Sequence, residues 1–133
     1  MFNRMRLVAA AAALLVAAPV ASLGTAHAQG TTGELPERQI SINGIEPREG
    51  VFFAKGKVRP DYENRYATMQ RKLKSASSWD DWRTFKTNDS SRYRKEIKAL
   101  ERLGTICYRV KIKGNDSFAT SYSGRVCIKT RRV

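Results

Sequence analysis

The chain has 133 residues, 41% of them hydrophobic, and its 25 lysines and arginines against 12 acidic residues give a formal net charge of +13. This length fits one small domain, and the charge favours polyanionic partners such as nucleic acid, anionic cell-wall polymers or acidic membranes, although it could equally serve only solubility. The composition includes one histidine, His27. Catalysis or metal binding by histidine is therefore possible only if the N-terminal segment that contains His27 is retained.

Residues 1–28 have the three regions of a secretory signal peptide. Arg4 and Arg6 form a positive start, residues 7–20 are apolar and alanine-rich, and Ala-His-Ala at 26–28 supplies the small residues of a cleavage site. A membrane anchor is the alternative, but it needs about 20 apolar residues and this run is shorter. We therefore predict a cleavable helical signal peptide and a protein that is secreted, extracellular or in the cell envelope.

Cleavage after residue 28 would change the chemistry of the chain. It would remove Arg4, Arg6 and His27, which leaves 23 basic and 12 acidic residues and a net charge of +11. Without a histidine, the mature chain cannot form a histidine-dependent triad or a histidine metal site. No cofactor and no metal site are predicted.

Residues 29–38 begin with small polar residues without periodicity, so we predict a flexible leader before a single domain over 39–133. Alternation of apolar and polar residues predicts an all-β domain of about seven short strands. In this domain Asn43-Gly44 and Pro47 are expected to break the first strand, and Pro60 to end the second. Six of the predicted strands cover 39–42, 51–58, 66–73, 82–87, 106–112 and 125–129.

Residues 91–103 are ambiguous. Tyr93, Ile97 and Leu100 recur at helical spacing, and the composition favours a helix. Tyr93 and Ile97 also fit the alternation of a strand, and the neighbouring segments are strands and turns. We predict a strand over about 92–98, followed by a turn through Leu100 to Gly104.

The two cysteines, Cys107 and Cys127, lie on the last two predicted strands, equally far from residue 117 in the turn between them. A roughly symmetric hairpin would place them opposite each other, and export would oxidise them to a disulfide. A redox-active pair is the alternative, but their spacing differs from a Cys-x-x-Cys motif. We predict a structural bridge.

Several segments in this order resemble bacterial secreted immunoglobulin-like β-sandwich domains: GKVRP (56–60), MQRKLK (69–74), a tryptophan near 79–82, SSRYRKEI (90–97), GTICYRVKI (104–112) and ATSYSGRVCI (119–128). Residues 103–123 are also similar to the last two strands of fibronectin type III modules. Met69 stands where leucine is usual, and Ser91 where glycine usually precedes Arg92. The resemblance implies a small antiparallel immunoglobulin-like sandwich and no catalytic residue.

Carboxylates offer the remaining routes to catalysis or metal binding. Asp80 and Asp81, between Trp79 and Trp82, could suggest a sugar-cleaving pair, but adjacent strand residues point to opposite faces, so we interpret them as a turn that carries a core tryptophan. Asp61 and Glu63 lack the dense ligand spacing of a calcium loop. We therefore expect a protein that is not an enzyme.

A basic sheet face is the candidate binding site. Alternation directs both cysteines and the cations of the final hairpin away from the core, and in an immunoglobulin-like sheet the strand over 66–73 would lie beside them. The predicted face carries no carboxylate and comprises Lys72, Lys74, Arg109, Lys111, Lys113, Arg125 and Lys129. The plain alternative is a solvated face on a cationic protein.

Two functions follow from these features. The first is a non-catalytic binding module whose basic face takes an anionic cell-wall or extracellular polymer. The second is a structural or protein-protein interaction module of the cell envelope, with incidental charge and another exported protein as partner. Nucleic acid ranks below anionic polysaccharide, because the aromatic residues mostly occupy core-type positions instead of forming stacking platforms.

Overall fold

The computed structural model describes residues 33–132, which form nine β-strands and no helix. Sheet I contains β1 (Gln39–Ile40), β2 (Asn43–Arg48), β3 (Val51–Arg59) and β6 (Arg92–Ile97). Sheet II contains β4 (Tyr66–Leu73), β5 (Asp80–Lys86), β7 (Gly104–Ile112), β8 (Ser121–Tyr122) and β9 (Val126–Thr130). The predicted signal peptide, residues 1–28, lies outside the described residues.

All strand pairings within the two sheets are antiparallel, which confirms the all-β prediction. In sheet I, β3 is central, with β1 and β2 along one side and β6 on the other. In sheet II the order is β5, β4, β7, and β7 then pairs with both β8 and β9. Because each strand alternates its side chains, each sheet has one face toward the core and one toward solvent.

The core lies between the two sheets and follows the predicted alternation. On β7, Ile106, Tyr108, Val110 and Ile112 are buried, and they pack with Ala54 and Val58 of β3, Met69 of β4 and Ile97 of β6. Tyr108 is fully buried, yet its hydroxyl donates to the carbonyl of Lys98 over 2.6 Å. This bond satisfies the one polar group that the ring carries into the interior.

The strand count is nine instead of about seven, because β2 and β8 are strands that the sequence analysis did not predict. The expected break at Asn43-Gly44 and Pro47 is wrong, since residues 43–48 form β2. The break falls earlier, between β1 and β2, where the Ser41 carbonyl lies so close to Gly56 that an added Cβ would be 1.9 Å away. Pro47 is tolerated because β2 is an edge strand with a register shift between Ile45 and Arg48.

The second additional strand, β8, lies just before the last predicted strand. Residues 123–125 separate β8 from β9, and both strands pair with β7. Ser123 lies in this interruption, where its hydroxyl accepts a hydrogen bond from the amide of Val110 at 2.8 Å. A side chain thus replaces part of the main-chain ladder at the interruption.

The ambiguous segment 91–103 is a strand, as predicted, over Arg92–Ile97, and β6 pairs with β3 at six successive positions. Pairing with β3 satisfies the backbone and buries Tyr93 and Ile97, which outweighs a helical propensity of a few tenths of a kcal/mol per residue. The Tyr93 hydroxyl donates to the carbonyl of Ser41 at 2.6 Å. Burial raises the pKa of Tyr93 well above its usual range.

Two residues of the predicted leader belong to the packed structure. Glu37 forms a bridge with Ala119, and Arg38 is buried. The amide of Arg38 donates to the Ser121 hydroxyl at 2.8 Å, and its guanidinium lies 4.1 Å from the ring centroid of Phe118. The packed domain therefore begins before residue 39.

Candidate functional site

The candidate site is built on the hairpin of β7 and β9. Cys107 and Cys127 are direct partners in the register, with their sulfurs 2.07 Å apart. They alternate with the core residues Ile106 and Tyr108, so the disulfide lies on the outer face of sheet II, as predicted. Cys107 is nevertheless fully buried, and only Cys127 is exposed to solvent.

The register of sheet II determines which side chains share its outer face. Thr68, Gln70 and Lys72 of β4 lie opposite Lys111, Arg109 and Cys107 of β7, and Lys111 lies opposite Tyr122 of β8. On β5, Asp81 lies opposite Gln70. The strand over 66–73 therefore lies beside the final hairpin, as the resemblance implied.

Arg109 is held in place by a chain of contacts. Its guanidinium carbon lies 4.5 Å from the ring centroid of Trp79 and 4.1 Å from that of Tyr122. Its Nε donates to Oε1 of Gln70 at 2.8 Å, and Nε2 of Gln70 donates to Oδ1 of Asp81 at 2.8 Å. Gln70 is only 6% exposed, so this chain of bonds is anchored in a buried side chain.

This arrangement leaves the outer end of the Arg109 side chain available. Within residues 33–132, its two terminal amino groups make no hydrogen bond and no ion pair. The two rings and Gln70 restrict its rotamers, so little side-chain entropy is lost when an anion binds. A fixed guanidinium with free N–H groups is suited to a bidentate bond with a carboxylate, sulfate or phosphate.

The other predicted cations divide into a central and a marginal group. Lys72 and Lys111 flank Arg109. Nζ of Lys72 lies 5.3 Å from the Trp79 ring centroid and donates a hydrogen bond to the carbonyl of Ala76. Four cations lie at the ends or edges of the strands, where no contact brings them to Arg109: Lys74, Lys113, Arg125 and Lys129. The structure thus assembles three of the seven predicted residues.

The charges of this face are almost entirely unpaired. Across the part of the chain that the structure describes, one ion pair is present, between Lys98 and Glu96 at the end of β6. None of the seven predicted cations contacts a carboxylate there. The expectation that no carboxylate lies on this face is wrong, because Asp81 lies beside Gln70, where it accepts the hydrogen bond that orients the amide.

Three aromatic residues on this face were not predicted. The aromatic residues were expected to occupy mostly core-type positions, whereas Tyr66 is 66% and Tyr122 45% exposed and Trp79 is half-buried. Tyr66 has the same parity as Thr68 and Gln70, so the period of β4 could have placed it on the outer face. Nζ of Lys86 lies 5.4 Å from its ring centroid.

The carboxylate pair Asp80-Asp81 lies within β5 and not in the expected turn. Asp80 lies opposite Arg71 and Asp81 opposite Gln70, so the two carboxylates are on successive positions and point to opposite faces. Among residues 33–132, no three His, Cys, Asp or Glu side chains are grouped as potential metal ligands. No helix in that range has the length and apolar character needed to cross a membrane.

Comparisons with known proteins add no family to this picture. The chain matches no protein-family model, no curated protein and no solved structure. The chemistry of the outer face of sheet II, and not similarity to a protein of known function, is therefore the basis for a functional proposal.

Proposed function

We propose that the protein is a secreted, non-catalytic binding module that holds an acidic polysaccharide on the outer face of sheet II. The observation that carries the proposal is Arg109, whose guanidinium is oriented by Trp79, Tyr122 and Gln70 while its terminal N–H groups have no partner within residues 33–132. An uronic acid carboxylate could accept two of these N–H groups. Lys72 and Lys111 would add nearby charge.

The same face is less suited to stacking nucleic-acid bases. Binders of single-stranded nucleic acid need aromatic rings on which bases can lie. Here Trp79 and Tyr122 are both in contact with the Arg109 guanidinium, and Trp79 also lies near Lys72. The third ring, that of the more exposed Tyr66, has Nζ of Lys86 5.4 Å from its centroid. The rings therefore support cations more than they offer free surfaces, which favours the recognition of charged groups over bases.

The strand order supports the finer fold proposal as well. We propose that the domain is immunoglobulin-like or fibronectin type III-like, with β5, β4, β7 and β9 in one sheet and β2, β3 and β6 in the other. In such sandwiches, strands that are distant in sequence lie side by side within each of two aligned sheets. These domains commonly serve as binding or spacer modules outside the cell. Nothing in that architecture requires a catalytic residue.

A second candidate function is a structural or protein-interaction module of the cell envelope. It is favoured by a groove at the side of the sandwich where the edge strands β2 and β9 approach each other. Ile45, Phe52 and Val126 line the groove, and an edge strand offers unpaired backbone groups beside them. A partner strand could pair there without any contribution from the cationic face.

A retention experiment with matched charge changes tests the first function. Arg109→Gln/Lys111→Gln removes two charges from the candidate face, and Arg131→Gln/Arg132→Gln removes two from the exposed C-terminal end. On immobilised polygalacturonate, the first variant should bind about tenfold more weakly than the wild type, because a charge-assisted bond contributes about 1.5–3 kcal/mol. The second should lose less than about threefold, because the interactions of exposed surface charges are largely screened by salt.

Three outcomes would contradict the proposal. Equal weakening of both variants would mean that total charge and not the face determines binding. Binding that does not change between low and high salt would exclude an electrostatic interaction. Tighter binding to single-stranded DNA than to polygalacturonate at the same salt concentration would assign the face to nucleic acid.

A further inference from the structure

Sheet I carries a second cationic face that the sequence analysis did not identify. The outward positions of β3 include Lys55, Lys57 and Arg59, because Ala54, Gly56 and Val58 point toward the core. The outward positions of β6 include Arg92 and Arg94, which alternate with the buried Tyr93. Five cations therefore share the outer face of sheet I.

The register places these cations directly opposite one another. Lys55 pairs with Arg94, and Lys57 pairs with Arg92. Like charges on directly opposed positions destabilise a sheet unless an anion lies between them. Two adjacent pairs of this kind are therefore an unfavourable arrangement for an isolated domain.

No carboxylate compensates the charge of this face within residues 33–132. Glu96 is the acidic residue of β6, and it lies opposite Phe53 instead of a cation of β3. Its carboxylate accepts a hydrogen bond from Lys98, which lowers the pKa of Glu96. The guanidinium of Arg94 instead lies 4.4 Å from the Phe53 ring centroid, which holds it over the sheet.

The spacing of these cations suits a linear polyanion. A groove follows the two strands. It is lined by all five cations and also by Lys95 of β6 and Lys86 of β5. Neighbouring strands lie about 5 Å apart, and successive outward residues on one strand about 7 Å apart. Two parallel rows of cations at these distances can contact successive charges of one polymer chain. On the described strands β3 and β6, the outward aromatic ring is that of Phe53, and the Arg94 guanidinium lies over it, which again favours an acidic polysaccharide over bases.

We infer that the outer face of sheet I is a second binding site for acidic polysaccharide, so that one domain bridges two polymer chains. The inference rests on the proposed function of sheet II and extends it. The two sites are the outer faces of two sheets packed on a common core, so they point in opposite directions. A stiff polymer chain bound along one face cannot reach the other.

Bridging has a signature that binding alone lacks. A divalent module joins polymer chains into larger assemblies at intermediate ratios of protein to polymer. At excess protein each site on the polymer is saturated separately, and the assemblies disperse. A module with one site binds equally well over the same range of ratios but never joins two chains.

Light scattering and binding, measured together on polygalacturonate, test the inference. Lys55→Gln/Arg94→Gln removes one opposed pair from sheet I, and Arg131→Gln/Arg132→Gln is the control with the same change in charge. The sheet I variant should lose most of the scattering maximum while it keeps at least half of the bound protein at saturation. The control should keep both. Because the variant relieves repulsion, its thermal unfolding should show an intact fold.

Each remaining outcome decides a different question. Unchanged scattering by Lys55→Gln/Arg94→Gln would overturn the second site, and so would assembly of the wild-type protein without polymer. If Lys55→Gln/Arg94→Gln abolishes binding while Arg109→Gln/Lys111→Gln does not, sheet I is the only site, and the proposed function of sheet II fails by itself. Bridging of DNA but not polygalacturonate would overturn the ligand class.

Discussion

Gln70 and Arg109 show how one buried polar side chain can organise an exposed face. Gln70 accepts from Arg109 and donates to Asp81, so both ends of its amide are engaged. A buried amide without these partners would cost about 1–3 kcal/mol, which makes the connected arrangement the stable one. The orientation of Arg109 is therefore a property of the folded sheet and not only of the side chain.

Gly56 lies where neighbouring atoms approach the α-carbon so closely that a hydrogen atom fits but a methyl group does not. The chain crosses from β1 to β2 at Ser41, and the Ser41 carbonyl and the Tyr93 hydroxyl both approach the α-carbon of Gly56. A Cβ at this position would lie 1.9 Å from the carbonyl oxygen and 2.7 Å from the hydroxyl. A backbone atom cannot rotate away as a flexible side chain can.

We expect Gly56→Ala to destabilise the domain by about 3 kcal/mol, the upper range for overpacking, because the backbone at Ser41 must move. Gly44→Ala is the matched control on the neighbouring strand, where a Cβ would meet Val126 at an ordinary 3.7 Å. The control should change the free energy of unfolding by less than about 1 kcal/mol. Urea denaturation measures both, and equal stabilities of the two variants would contradict the packing argument.

At the scale of elements, β6 shows a conflict between local and long-range preference. Its residues favour a helix by composition, yet β3 offers six paired positions and a core site for Tyr93 and Ile97. The period-2 pattern of those two residues identified the strand correctly, because burial of alternate side chains contributes more than propensity. The same pairing creates the opposed cations of sheet I.

The hairpin of β7 and β9 is joined both by its ladder and by the disulfide. Five paired positions connect the strands, from Gly104 opposite Thr130 to Tyr108 opposite Val126. The ladder fixes the register, and the disulfide closes a loop with a sequence separation of 20. The bridge therefore adds stability mainly by restricting the unfolded chain.

Removing the bridge should lower stability without changing the fold. For Cys107→Ala/Cys127→Ala, the chain-entropy relation predicts a loss of roughly 3 kcal/mol in the free energy of unfolding. Chemical denaturation of the variant, compared with the oxidised wild type, gives this value. Hydrogen exchange should show amides of β9 losing protection ahead of those of β3. A variant as stable as the wild type, or one in which β3 opens first, would disprove this account.

At the scale of the whole molecule, the dominant feature is uncompensated positive charge on two opposite faces. Leaving out Arg4 and Arg6, the chain has 23 basic and 12 acidic residues, and one ion pair forms within residues 33–132. A compact domain with net charge +11 is destabilised by its own repulsion. Such a domain should become more stable when salt or a polyanion screens the charge.

We expect the melting temperature to rise by about 4–8 °C when NaCl is increased from about 20 mM to about 300 mM, since relief of the two opposed pairs contributes about 1 kcal/mol. Lys55→Gln/Arg94→Gln should be more stable than the wild type at low salt and should respond less to salt. Arg131→Gln/Arg132→Gln, with the same net charge, should respond nearly as the wild type does. A melting temperature that falls with salt would contradict the repulsion argument.

The sequence by itself determined the features that depend on local alternation. The period of 106–112 separated the buried Ile106, Tyr108, Val110 and Ile112 from the outward Cys107, Arg109 and Lys111, and the hairpin symmetry paired Cys107 with Cys127. These features are predictable because successive side chains of a strand must point to opposite faces, whatever the strand pairs with. The same rule could have found Tyr66 and the row of cations on β3.

Only the tertiary structure decided which strands are neighbours and in which register. It divided the edge strand at Ser41 and brought Trp79 and Tyr122, from separate elements, to Arg109. It also set Lys55 opposite Arg94, so that the cations of β3 and β6 lie side by side and form the cationic outer face of sheet I. Register between distant strands is selected by the packing of the whole core, because a shift of one residue would expose one face and bury the other. No local pattern in the chain carries that information.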